Sequence, residues 1–340
     1  MTTGGAASDL LHADDAGIDE IVAGTGARDV AARSPLQLFW RRFRRDRVAM
    51  VALAFIVLLV LVAIFAPLIA KLAGAPEPNV QSTEALDDFG LPTGPTAQHI
   101  LGVDDLGRDI FSRVLYGAQV SLKVAIIGTG LSVLIGVIMG MLAGFYRGWV
   151  DTFIARLIDV LLAFPVLLLG VGLAAACSDR NGCLEGLKPG EGGLIQPGLS
   201  VVIFIIVLAN WPYVARIIRG QVLSLREQEF IDAARSLGAS NGRIIFREIL
   251  PNLIAPILVY ATLFIPANIL LEAALSFLGV GVQPPQPSWG DMLADASSTF
   301  NTAWWFMVFP GAALLLTVLA FNLLGDGLQD ALNPKGSKAR

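Results

Sequence analysis

The chain has 340 residues, 55% of them hydrophobic and 15% charged, with a formal net charge of −4. Soluble domains carry about a quarter charged residues, so this composition, with a mean hydropathy of +0.67, excludes an ordinary soluble domain. The acidic residues gather in the N-terminal tail and in the polar stretch after the first apolar run, which predicts no nucleic-acid partner, while several long apolar runs predict a polytopic membrane protein.

Residues 1–35 are mostly Gly, Ala, Asp and Thr without a period, as expected of a disordered tail. The first apolar run starts too late and runs too long for a secretory leader. Segment 36–70 carries the basic cluster Trp40-Arg41-Arg42-Phe43-Arg44-Arg45-Asp46-Arg47 and then the first span, Val48 to Ile69, with Pro67 near its outer end. Dense arginine beside a span marks the cytoplasmic side. Residues 71–116 form an external loop rich in Pro and Gly. His99 with Asp104, Asp105 and Asp109 has some ingredients of a metal site, but one histidine among loop carboxylates falls short of a ligand set, and no metal is expected.

The core region, 117–328, opens with a second span, Gln119 to Phe145. Its Gly136, Gly140 and Gly144 form a ridge of small residues on which a neighbouring helix can pack closely. The third span, Phe153 to Ala176, places Arg156 and Asp159 three residues apart, a spacing that permits pairing; Pro165 permits a kink. Cys177 and Cys183 follow in an outer polar loop, where a disulfide between them can persist; the alternative is two free thiols. The fourth span, Gly198 to Val214, is interrupted near its inner end by Asn210-Trp211-Pro212. The fifth, from Pro251 to Gly279, is broken by Pro256 and Pro266. Broken helices are tolerated where protein or a water-filled cavity satisfies the freed backbone. Asn268 and Glu272 on this helix are therefore pathway-lining candidates. The competing reading puts Glu272 shallow, near the outer surface, bonded to a neighbouring helix. An external segment, 279–303, is expected to hold a short helix around Asp291 to Thr299, with Trp289, Trp304 and Trp305 as an interfacial belt. The sixth span is Trp304 to Leu324, and 329–340 is a cytoplasmic tail. Arg41 to Arg47, Arg147, Arg156, Arg216 to Arg247, Lys335, Lys338 and Arg340 all fall on one side of this topology. Only Lys71, Arg108, Arg113, Arg180 and Lys188 fall on the other. That asymmetry predicts six spans with both termini in the cytoplasm.

Between the fourth and fifth spans lies REQEFIDAARSLGASNGRIIFREILPN, Arg226 to Asn252. Phe230, Ala233, Ala234 and Leu237 recur at helical spacing among charged neighbours. Gly238 suits a left-handed helix end, and Ser240 or Asn241 can cap a second helix carrying Ile244, Ile245 and Ile249. Pro251 ends that helix or opens the next one. The pattern predicts a helix–turn–helix with an apolar stripe presented at a membrane surface; the alternative is an ordinary amphipathic connector lying in the lipid headgroups.

Asp232-Ala233-Ala234, three residues, Gly238, then Leu250-Pro251 resembles the "EAA" signature of permease subunits of ABC importers. Asp232 replaces the leading Glu, and Glu248 stands where the signature prefers Ile. HILGVDDLGRDIFSRVLYGA, SFLGVGVQPPQPSWGDML and LAFNLLGDGLQDALNP are similar to the C-type subunit of dipeptide and oligopeptide permeases. The resemblance implies a type I importer fold in the bacterial cytoplasmic membrane. It makes 226–252 a segment coupled to an ATPase through Phe230, Asp232, Ala233, Ala234, Leu237 and Gly238. It also implies a homologous second permease, two cytosolic ATPases that bind ATP and magnesium, and an external substrate-binding protein. The cargo implied is peptide, with nickel or glutathione as alternatives. This chain would bind no cofactor and catalyse nothing. It has no Gly-x-x-x-x-Gly-Lys-Ser/Thr phosphate loop. An ATP-independent secondary transporter is the contrasting class; the lack of clear internal duplication and the few intramembrane carboxylates argue against it.

Overall fold

The computed structural model describes residues 35–177 and 198–332. The chain divides into two units, Met1–Arg45 and Asp46–Arg340. In the first, helix α1 (Pro35–Phe43) ends in a basic turn, with the Arg44 guanidinium 4.9 Å from the Trp40 ring centroid.

The second unit is a helical bundle. Asp46 caps α2 (Arg47–Ile64), its carboxylate accepting from the N–H groups of Val48 and Ala49 at 2.9 and 3.1 Å. The first predicted span is not one helix to Ile69. It stops at Ile64 and resumes as α3 (Ala66–Leu72), because Pro67 has no N–H to return to the carbonyl four residues back. A loop with a single 3₁₀ turn, Thr83–Ala85, leads to α4 (Ile110–Tyr146). At 37 residues α4 is far longer than the predicted second span, because Asp109 caps it inside what reads as loop. The third predicted span is two helices, α5 (Gly148–Leu162) and α6 (Val166–Ala176), bent by 86° at Pro165. Next comes α7 (Leu199–Leu225), which runs on past Val214 with Pro212 inside it. The short helices α8 (Glu229–Ser236) and α9 (Asn241–Arg243) and a π-helical stretch, Ile244–Ile249, then lead into α10 (Leu250–Phe277). Pro251, Pro256 and Pro266 neither halt nor break this last run, which stays helical from Asn241 to Phe277. Helix α11 (Trp289–Ala296) and α12 (Trp304–Leu332) complete the bundle. Among the described residues five helices are long and apolar enough to cross a membrane, or six if the bent α5–α6 pair is one span. No strand forms there, only isolated bridges.

The most extensive helix contact joins α4 to α7. A methyl group added at Gly128, Gly136, Gly140 or Gly144 would run into Ile206, Val214, Ile218 and Val222 respectively, at 2.5 to 2.8 Å. The partners advance in step with the glycines, so the two helices are parallel and in register. In lipid such close backbone approach, rather than water-driven burial, holds helices together. Across this pair lies α10, joined by buried polar groups. Asn268 donates to the Thr129 hydroxyl at 2.8 Å and accepts from Asn210 at 2.9 Å, linking α4, α7 and α10.

At the end of the bundle away from 226–252, two indoles tie α11 to the first turns of α4 and α12 to the polar loop. Trp289 donates to the Val114 carbonyl at 3.1 Å, and Trp305 to the Val103 carbonyl at 3.2 Å. Trp289 is fully buried, so it anchors the core and does not join the interfacial belt expected of it. Arg113, 2% exposed, lies 3.5 Å from Asp104, 3.6 Å from Asp291 and 3.8 Å from Asp295; Arg108 lies 2.6 Å from Asp104 and 3.1 Å from Asp295. Carboxylates outnumber the two guanidinium groups here. Burial first, then the charges of Asp104 and Asp295, push the Asp105 carboxyl above its ordinary range. His99 Nδ1 meets Asp109 at 2.8 Å, which ties the loop to the α4 cap.

Two outcomes follow from this packing. Gly136→Val should cost about 1–3 kcal/mol or more, because the Trp211 carbonyl is backbone and cannot swing aside. Gly130→Ala, which meets open space, should be near neutral; thermal melting in detergent compares them. A carboxyl raised on folding costs stability as pH climbs through its range. Asp105→Asn should therefore raise the melting temperature at pH 7, and the gain should shrink as the pH falls toward about 4.

Candidate coupling surface

Helix α8 is short, and its termini are charged to suit its dipole, with Glu229 and Asp232 in the first turn and Arg235 in the last. One side chain fixes it. Ile231 is fully buried in a cluster with Val137, Met141 and Phe145 of α4, Ile218 and Val222 of α7, and Ile244, Ile249 and Leu253. The π stretch explains how Ile244 and Ile249 share that cluster. In an α-helix, residues five apart diverge by about 140°; hydrogen bonding from i to i+5 brings them onto one side.

With Ile231 turned inward, the opposite face of α8 points away from the bundle. Phe230 is 41% exposed and Leu237 is 89% exposed. Ala233 is exposed and Ala234 half-buried between them. Asp232 lies on the exposed side, 3.2 Å from Arg235. Gly238 takes φ +79°, and its N–H and that of Ala239 close the helix on the Arg235 and Ala234 carbonyls. Ser240 caps α9 by accepting from the Arg243 N–H. Phe230, Ala233, Ala234 and Leu237 thus share one side of the helix, Gly238 turns the chain away at its end, and Asp232 projects about 200° round the helix from Phe230.

Polar ties brace the elbow's base. The Arg226 guanidinium donates to the Phe145 carbonyl, and Arg147 meets Glu227 at 2.5 Å. Arg219 grips Asp151 of α5, its Nη2 donating at 2.8 Å. Asp159 accepts from Arg216 of α7 at 2.7 Å, not from Arg156, so the pair expected within the third span is an interhelical one.

Asn268 and Glu272 do not face an open pathway in this conformation. Asn268 sits in the bridge to α4 and α7. Glu272 is wholly buried, accepting from the Ser121 and Ser276 hydroxyls at 2.8 Å each. Ser276 in turn accepts from the Val282 N–H at 3.2 Å, so Glu272 braces the turn that leaves α10. That placement matches the competing reading, a bond to a neighbouring helix, except that the carboxylate is deep in the protein. Cys177 is buried among α6, α7 and α10 residues, while Cys183 lies outside the described residues.

Several residues that matter were not singled out by pattern. Ile231 was hidden beside the stripe that includes Phe230, and only its burial separates an anchoring residue from a displayed one. Ser121 and Thr129 look unremarkable in apolar runs until their partners on α10 are known, and Asn210 reads only as an interruption of its span.

Residues 136–338 match the family described as binding-protein-dependent transport system inner membrane component, and residues 34–87 match the N-terminal TM domain of oligopeptide transport permease C. A dipeptide transport system permease protein DppC of Alkalihalophilus pseudofirmus is 40% identical over 304 residues, covering 89% of this chain and 91% of the relative. A glutathione transport system permease protein GsiD of Escherichia coli is 45% identical over 303 residues, with the same coverage. Among solved structures, an inward-facing MetNI methionine ABC transporter chain has the same fold, with a TM-score of 0.52 at 17% identity over 65% of this chain and 96% of that one. This multi-pass helical chain therefore belongs to the family of binding-protein-dependent transport system inner membrane components, the membrane permeases of ABC importers.

Proposed function

We propose that this chain is the permease subunit of an ATP-driven importer of di- or oligopeptides, worked through the Arg226–Asn252 elbow by a separate ATPase. The observation that carries the reading is the two-faced helix α8. Its back is clamped by Ile231 to the ends of α4 and α7, and its front leaves Phe230, Ala233 and Leu237 exposed among the described residues. A surface like that is built to be held by another protein. Small alanines let a groove approach closely, and Gly238 lets the backbone turn away at once.

The chain itself would be non-catalytic. ATP and magnesium would be bound by two cytosolic ATPase subunits, with a homologous second permease beside this one and an external binding protein delivering cargo. Arginine enrichment around the elbow supports placing it, and both termini, in the cytoplasm. When the ATPase subunits close, α8 would move with them. Because α7 enters the elbow and the Asn241–Phe277 helix leaves it, both would tilt and switch access between the two sides. Glutathione is the second reading of the cargo, favoured by the 45% identical relative. It is itself a small peptide, so both readings need the same kind of pathway.

Ala234→Asp places a charge where close seating is needed, and Gly238→Val forces a branched side chain into φ +79°. Each should lower uptake of labelled peptide into proteoliposomes by roughly tenfold or more, while ATP hydrolysis persists but no longer follows transport. Uptake surviving both changes would overturn the coupling assignment. Mass spectrometry of the ligand bound to the copurified binding protein separates peptide from glutathione.

A further inference from the structure

The loop between α3 and α4 holds a second strongly displayed apolar residue. Phe89 is 89% exposed, as exposed as Leu237 on α8, and lies at the opposite end of the bundle. The two are built alike. Each sits at a turn immediately before a left-handed glycine, Gly90 at φ +74° and Gly238 at φ +79°.

The Phe89 turn is rigidly made. The Asp87 carboxylate accepts from the N–H of Phe89 at 2.9 Å and of Leu91 at 2.7 Å. The Asp87 N–H returns to the Leu91 carbonyl, and the Gly90 N–H to the Asp87 carbonyl, both at 2.9 Å. Leu86 and Pro92 bridge at its base, and the Thr93 hydroxyl donates to the Ala85 carbonyl at 2.6 Å. A loose loop would fold an exposed phenylalanine back onto the protein; this one holds it out. The ordering cost of presenting it is met before any partner arrives.

Charge narrows the partner. Between residues 72 and 98 the chain has Glu77, Glu84, Asp87 and Asp88 and not one Lys or Arg. Glu84, Asp87 and Asp88 are exposed around Phe89. Segments that insert an aromatic into a bilayer surface flank it with basic residues, and an anionic leaflet repels this acidic rim. A protein with an apolar pocket ringed by Lys or Arg fits both features.

We propose that the Asp87–Leu91 turn is a docking knob for the external substrate-binding protein, with Phe89 entering an apolar pocket and Glu84 and Asp88 meeting its basic rim. This rests on the importer reading above, which puts the turn outside the cell. Because the turn belongs to the loop that Trp305 of α12 fastens at Val103 and that runs into α4, a protein seated on Phe89 is connected to α4 and α12.

The test uses the full complex in lipid nanodiscs and the binding protein that copurifies with it, identified by mass spectrometry. Phe89→Asp should weaken that protein's affinity roughly tenfold or more, and Phe89→Trp should preserve it. Glu84→Gln with Asp88→Asn should flatten the loss of affinity with added salt. Unchanged copurification of the ATPase checks that each variant assembles. In cells, p-benzoylphenylalanine at position 89 should crosslink to the same binding protein. Equal affinity of wild type and Phe89→Asp would overturn the proposal while leaving the importer reading intact, as would adducts only to lipid, to a second permease, or to this chain's own residues. If no ATPase copurifies and no binding protein stimulates the wild type, the importer reading itself fails, and this proposal with it.

Discussion

Register between α4 and α7 is the constraint on which the rest of the bundle depends. Four glycines on α4 face Ile206, Val214, Ile218 and Val222 on α7, and none of those positions has room for even a methyl group. Contacts this close forbid both sliding and separation without breaking many at once. The two helices therefore form one stiff element, running from the indole-anchored loop to the elbow.

Everything with a functional reading is attached to that element. The elbow's hydrophobic cluster draws on residues from both helices, with Ile231 as the nail. Helix α10 is joined to it by Asn268, Thr129 and Asn210, and again by Glu272 with Ser121. Buried polar links of this kind contribute little net stability, but they specify which helix faces meet, since a misplaced partner leaves an unsatisfied group in an apolar interior.

Much of this was legible from residue pattern, and the failures are physical ones. Gly136, Gly140 and Gly144 announced a close contact, and Gly238 a left-handed turn, because in both cases glycine is nearly the only residue that serves. Helix boundaries depart from the spans that residue pattern predicts where polarity and helicity part company. Asp109 begins α4 within a charged loop, and α7 continues for three turns beyond Val214 because Pro212 costs it only local bonding. Pro165 and Pro67 did bend or break helices, whereas Pro256 and Pro266 did not; the difference lies in what packs around each one, which no local rule contains. Glu272 and Asn268 illustrate the same limit. A polar residue in an apolar run signals a partner or a pathway, and only the facing helices decide between them.

The indole donors also set an order on assembly. The carbonyls of Val103 and Val114 receive their hydrogen bonds from Trp305 and Trp289, which are synthesised far later. Arg113 likewise gains Asp291 and Asp295 only at that stage. While the nascent chain is being threaded into the bilayer, the first turns of α4 have their Asp109 cap but not the hydrogen bond from Trp289. A chain cut short before Trp289 would leave Arg113 with Asp104 as its remaining ion-pair partner and the Val103 and Val114 carbonyls without these donors.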